Sequence, residues 1–170
     1  MITKVDRNYL EINSVENLKI SRKPNSNCTL TLVDPPDFQL NKFFYKRIGK
    51  NHRWIDRLVW DDIKWINYLE NKNIETYILK EKENLVGYFE TIFDFEKKHC
   101  EIAYFGILSE YFGKKYGGYL LSEAISKAFE RDINRVWVHT CSLDHKNALK
   151  NYLARGMKIF KSEKIFLDIN

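Results

Sequence analysis

The stretch EIAYFGILSEYFGKKYGGYLLSEAISKAF, Glu101–Phe129, constrains the fold more than any other part of the chain. Its first residues are apolar at consecutive positions, which suits a strand buried on both faces and therefore central in a sheet. Gly113, Gly117 and Gly118, with Lys114 and Lys115 between them, then break the pattern. From Gly117 onward Leu121, Ala124, Ile125, Ala128 and Phe129 recur at helical spacing. A central strand that feeds a glycine-containing joint and an amphipathic helix requires covering layers on both faces. Free N–H groups at the start of such a helix, at the positive end of its dipole, make an anion site. The competing reading is an ordinary turn before an ordinary helix.

The rest of the chain extends this reading. NCTLTLVD alternates and reads as a strand. Asp37 is positioned to cap a helix through FQLNKFFYKRIG, stopped at Gly49, and Asp61 or Asp62 to cap a second through IKWINYLEN. ETYILKEKENLVGYFETIFDFE reads as two strands about a turn near Glu83–Asn84, followed by HCEIAYFGIL as a third. After the central helix come a strand in RVWVHTCSL, a helix in HKNALKNYLARG closed by Gly156, and one or two strands in MKIFKSEKIFLDI. An extra strand or hairpin is expected in YLEINSVENLKIS. The expected architecture is α/β: a mixed, mostly antiparallel sheet of about six to seven strands with helices on both faces. A length of 170 residues fits one domain, 1–170. All three prolines fall in the first quarter, which reads as an N-terminal elaboration over about residues 1–36.

Composition narrows the function classes. The net charge of +5 is spread along the chain, without the dense basic blocks or aromatic RNA-binding signature of a nucleic-acid protein. No run of apolar residues is long enough to span a membrane, and the N-terminus lacks a signal-peptide core. Cys28, Cys100 and Cys141 are odd in number and far apart, which argues against a disulfide framework or a metal site and for a reducing, cytoplasmic setting. A homodimer is compatible with the sequence.

Two motifs carry a resemblance. The joint runs Phe112, Gly113, Lys114, Lys115, Tyr116, Gly117, with Gly118 beside it. Downstream, His145, Ala148, Tyr152, Gly156 and Met157 hold the spacing N-x-x-A-x-x-x-Y-x-x-x-G-F. Together with the element order, these make the region from about Phe38 to Phe160 resemble the GNAT superfamily of acyl-CoA-dependent N-acyltransferases. That family holds the CoA pyrophosphate on a loop of the form R/Q-x-x-G-x-G/A. Here Phe112 stands at the Arg/Gln position, Lys115 at the middle glycine, and His145 where asparagine is usual. Asn147 lies two residues on. The chain also looks like a less common bacterial branch, through FFYKRIGKNHRWIDRLVW and VWVHTCSLDH.

The resemblance implies an acetyl-CoA-dependent N-acetyltransferase acting by direct transfer to an amine of a small molecule or peptide, with no metal. It implies that the backbone of Phe105, Ile107 and Leu108 pairs with the pantetheine arm. The loop Phe112–Gly118 would hold phosphate, with His145 and Asn147 nearby and Tyr152 beside the sulfur. Lys114 and Lys115 would add charge there, or form a solvated surface pair. Glu101 matches the strand glutamate that serves as base in the family's histone acetyltransferases. Glu90 is an alternative base, and so is His139, whose imidazole titrates in the useful range. Cys141 reads as a buried thiol rather than a nucleophile. The first two helices and their link would wall the acceptor pocket. There Trp54, Asp56, Arg57, Trp60 and Trp65 either bind an amine by cation–π contact or seal the core, and His139 counts with Trp54, Arg57 and Trp60 as an acceptor contact. A CoA-binding sensor or scaffold without catalysis is the alternative function.

Overall fold

The computed structural model describes residues 1–168. Seven strands form one sheet: β1 (Ile2–Ile12), β2 (Cys28–Leu32), β3 (Ile74–Glu81), β4 (Asn84–Asp94), β5 (His99–Ile107), β6 (Arg135–Cys141) and β7 (Lys158–Asp168), in the spatial order β2-β3-β4-β5-β6-β1-β7. The helices are α1 (Phe38–Gly49), α2 (Asp62–Leu69), α3 (Tyr116–Phe129) and α4 (Ala148–Ala154). β5 is central, as its two-sided apolar pattern requires. Every pairing is antiparallel except β5 with β6.

Local chemistry accounts for the helix starts. Asp37 accepts the Gln39 N–H at 3.0 Å, and Asp61 rather than Asp62 caps α2, accepting from Lys64 at 2.8 Å. Side chains alternate across the sheet. Phe89 and Ile102 pack with Leu120, Leu121 and Ile125 of α3, while Tyr88 stacks flat on Phe44 of α1 at 4.8 Å. Helices therefore cover both faces, α1 and α2 on one and α3 and α4 on the other.

The N-terminal segment, where an extra strand or hairpin is expected over Tyr9–Ser21, holds a longer strand. β1 begins at Ile2, seven residues before the expected Tyr9, and lies inside the sheet between β6 and β7. Its charged positions hid it, because alternation with Lys4, Asp6 and Arg7 resembles a solvated edge. Only one C-terminal strand forms, and α4 is shorter than HKNALKNYLARG suggested. No described helix is long and apolar enough to cross a membrane.

Candidate active site

The parallel pair β5–β6 holds register only from His99↔Arg135 to Glu101↔Trp137. Beyond that point β5 stays with β4, through a bulge between Glu90 and Thr91 that leaves Ala103 unmatched, while β6 stays with β1. A bulge bends and twists its strand, and the two strands part. The wedge opens into a cavity of about 1090 Å³ that reaches from the start of α3 to the α1–α2 link. That volume holds more than one small molecule.

One wall is the free edge of β5. Leu108 donates its N–H to Val86 on β4 at 2.8 Å, and its carbonyl accepts from Tyr111, so the expected backbone contact from Leu108 is already spent. Strand alternation then turns the backbone groups of Phe105 and Ile107 the other way, into the wedge. Both residues line the cavity.

The joint before α3 is built on two left-handed residues, Gly113 at φ +75° and Lys115 at φ +68°. Lys115 thus adopts the conformation that its glycine-preferring position demands, at a cost of about 1–2 kcal/mol. No side chain caps α3, so the N–H groups of its first turn keep no capping partner. Gly113, Lys115, Tyr116, Gly117 and Gly118 line the cavity. Lys114 does not; its ammonium sits over the Tyr111 ring at 5.5 Å. Gly118 is closely packed: a Cβ there would meet Arg155 Nη1 at 2.6 Å and Ser21 Oγ at 2.8 Å, so those side-chain ends would have to shift. Asn151 donates to the Gly117 carbonyl at 3.0 Å and ties α4 to this turn. Phe112 is exposed and meets the His145 ring edge-on at 4.8 Å, and His145 in turn meets His52 at 6.0 Å. Asn147 lies beside them and donates its backbone N–H to His145 Nδ1.

Glu101 and His139 face the wedge from opposite strands. Burial holds the Glu101 carboxyl above its ordinary range, against the pull of Arg57 and with a push from Glu90. His139 is shifted down, first by burial and then by the Arg7 charge, which favours its neutral form. Cys141 is pushed up by burial and by Asp144, which disfavours the thiolate. Tyr152 is buried against Phe105 with its hydroxyl proton held tightly by burial.

Glu90 lies on the same sheet face but not in the cavity. It is 0% exposed and accepts from Arg57 twice, at 2.9 and 3.1 Å, from Asn41 at 2.9 Å and from Tyr68 at 2.6 Å. Every lone pair that could take a substrate proton is engaged. Arg57 is likewise turned inward. Its guanidinium carbon sits 4.2 Å from the Tyr104 ring centroid, 4.3 Å from Tyr68 and 4.7 Å from Trp60. The aromatic cage expected to receive an external amine therefore encloses the chain's own arginine. Burial alone would lower the Arg57 pKa, but the Glu90 charge raises it overall. Trp54 packs edge-on against Tyr104 at 5.0 Å and still borders the cavity, as does Asp56.

Sequence reasoning missed Tyr104, Asn151 and Arg7 as lining residues. Tyr104 sits in the strand already singled out and Asn151 one residue before Tyr152, so position was a usable signal for both. Among the described residues no group of three or more His, Cys, Asp or Glu is placed to hold a metal ion.

A family model described as "Acetyltransferase (GNAT) family" matches residues 37–157. No curated protein matches the sequence. Among solved structures, a GCN5-related N-acetyltransferase from Sphaerobacter thermophilus superposes with a TM-score of 0.72 at 14% identity, over 95% of this chain and 50% of that one. Another from Kribbella flavida gives 0.67 at 14% identity, over 97% and 58%. The chain thus spans little more than half the length of these two. An aminoglycoside acetyltransferase, meta-AAC0020 from an uncultured soil metagenomic sample, gives 0.65 at 12% identity, over 78% and 90%. At these identities the likeness is one of fold.

Proposed function

The chain belongs to the acetyltransferase (GNAT) family, and from that premise we propose that it transfers an acetyl group from acetyl-CoA directly to a primary amine held in the same cavity. The observation that carries this reading is the wedge between β5 and β6, with an uncapped helix N-terminus at one end and a carboxyl of raised pKa at the other.

The residues divide the work by position. The first turn of α3 and Lys115 offer N–H donors and positive charge to phosphate. The edge of β5 at Phe105 and Ile107 offers peptide groups to the pantetheine amides. Glu101 takes one proton from the bound ammonium, directly or through water, which frees the lone pair that attacks; the nitrogen gives up its second proton as the amide forms, balancing the one that ends on the sulfur. A raised pKa suits that task, because the carboxylate is then a better base. The amine nitrogen bonds to the acetyl carbon, the carbon–sulfur bond breaks, and Tyr152 supplies a proton or hydrogen bond to the leaving sulfur. Holding both substrates in one cavity removes much of the entropic cost of their meeting.

The non-catalytic alternative draws on one observation: Phe112 and His145 touch across the cofactor side of the wedge. Titration calorimetry with acetyl-CoA, followed by thiol release across a panel of amines, tests both readings. Binding with thiol release supports the enzyme. Binding without release from any amine favours the module, and absence of binding removes both.

A further inference from the structure

Arg7 is a cavity cation to which the transfer chemistry assigns no role. It stands on β1, opposite Cys141 on β6 and Glu163 on β7, and its side chain lines the cavity. Its Nε is buried with no hydrogen-bond partner, and among the described residues it forms no ion pair. The carboxylates nearby make their hydrogen bonds and ion pairs with other groups, although Glu163 feels the Arg7 charge. Glu163 accepts from the Tyr9 hydroxyl at 2.6 Å and lies 3.5 Å from Lys161. Asp144 accepts from the Thr140 hydroxyl and from the Cys141 N–H, and Asp168 holds the Met1 ammonium at 3.1 Å.

The contrast with Arg57 is instructive. Both arginines border one cavity, but Arg57 has a bidentate carboxylate and Arg7 has none. A guanidinium donor left without an acceptor in a protein wall is unfavourable unless something else supplies the oxygens. The guanidinium has further donors at its two terminal nitrogens, and a carboxylate or phosphate in the cavity can accept from them. The strand holding Arg7 is paired on both sides, so the backbone position of Arg7 is set before any ligand arrives.

We propose that Arg7 is a recognition residue for the acceptor, and that the acceptor carries an anionic oxygen group, carboxylate or phosphate, several bonds from the amine that is acylated. The proposal rests on the transferase reading for the place of the amine, at Glu101. Cross-strand partners share a face. Glu101 is opposite Trp137 and Arg7 opposite Cys141, four residues further along β6, or about 13 Å of strand. Two long side chains shorten that gap without closing it. An α-amino acid, whose carboxylate is one carbon from its nitrogen, is too short to engage both groups. An ω-amino acid, an aminoalkyl phosphate or a short peptide is long enough.

The test is a binding titration on the full chain, alone and saturated with CoA, using matched amines: ε-aminocaproate and aminohexyl phosphate against hexylamine, with glycine as the short control. The anionic pair should bind at least about tenfold more tightly than hexylamine, and glycine should show no such gain. Arg7→Gln should bring the anionic amines down to the hexylamine level, and Arg7→Lys should restore part of the preference. The melting temperature and CoA affinity of Arg7→Gln should match those of the unmodified protein. Equal binding of charged and neutral amines, no binding by any of them, or an equal loss for all on Arg7→Gln would overturn the proposal. Anion preference without acetyl transfer would leave Arg7 standing and remove the catalytic reading. Acetyl transfer without anion preference would do the reverse.

Discussion

Glu90 and Glu101 sit on neighbouring strands of one sheet, flanked by apolar residues and facing the same side, yet they occupy opposite environments. Glu90 is sealed beneath α2 with four donors on its two oxygens. Glu101 looks into an open wedge with its charge disfavoured by burial. What separates them is the neighbour each strand offers. β4 is paired on both sides along its length, whereas β5 loses β6 just after Glu101. A carboxylate with all its partners contributes to the fold, and one left short of partners is available for chemistry.

The comparison can be broken from either side. The largest effect is expected at the sealed site. Arg57→Ala strands the Glu90 charge in the core and should cost about 3–5 kcal/mol in denaturant unfolding. A loss below about 1 kcal/mol would show that the pair is not structural. At the open site, Glu101→Gln should lower kcat about a hundredfold or more while leaving unfolding unchanged. The pH profile sharpens this. A base works deprotonated, so the rate should fall as pH drops through the pKa of Glu101. Because that pKa is raised, the fall should lie above the ordinary glutamate value of about 4.3. Glu101→Gln should remove the limb; if the limb survives, His139 or water becomes the base. Tyr152→Phe should reduce kcat by about tenfold with little change in CoA affinity, and an unaltered rate would make Tyr152 a packing residue. The smallest effect is expected at the joint. Lys115→Gly relieves a left-handed lysine and should add about 1 kcal/mol of stability, at the expense of several-fold weaker, less salt-sensitive CoA binding.

The element order was legible because its signals are local: the caps Asp37 and Asp61, the two-sided strand at Cys100–Leu108, the helical period after Gly117. The wedge was only partly legible. Motif spacing placed Tyr152 and the α3 joint beside it, but a bulge at Ala103 leaves no mark in composition. The fates of Glu90 and Arg57 were hidden because they meet across 33 residues, and aromatic residues that cage an internal arginine have the same composition as those that would receive a ligand. Arg7 was hidden by its surroundings, where alternating charge is also what a solvated edge looks like.

β1 carries one consequence for the order of synthesis. Tyr9 bonds to Glu163 across 154 residues, and β1 lies between two strands that follow α3 in the sequence. It therefore stays unpaired while β2 to β5 and α3 are being translated, on the order of ten seconds at ordinary elongation rates. The half of the sheet that would carry the phosphate joint and Glu101 can assemble first. The half with Arg7, which would read the acceptor, closes last, once β6 and β7 have been made and can pair with β1.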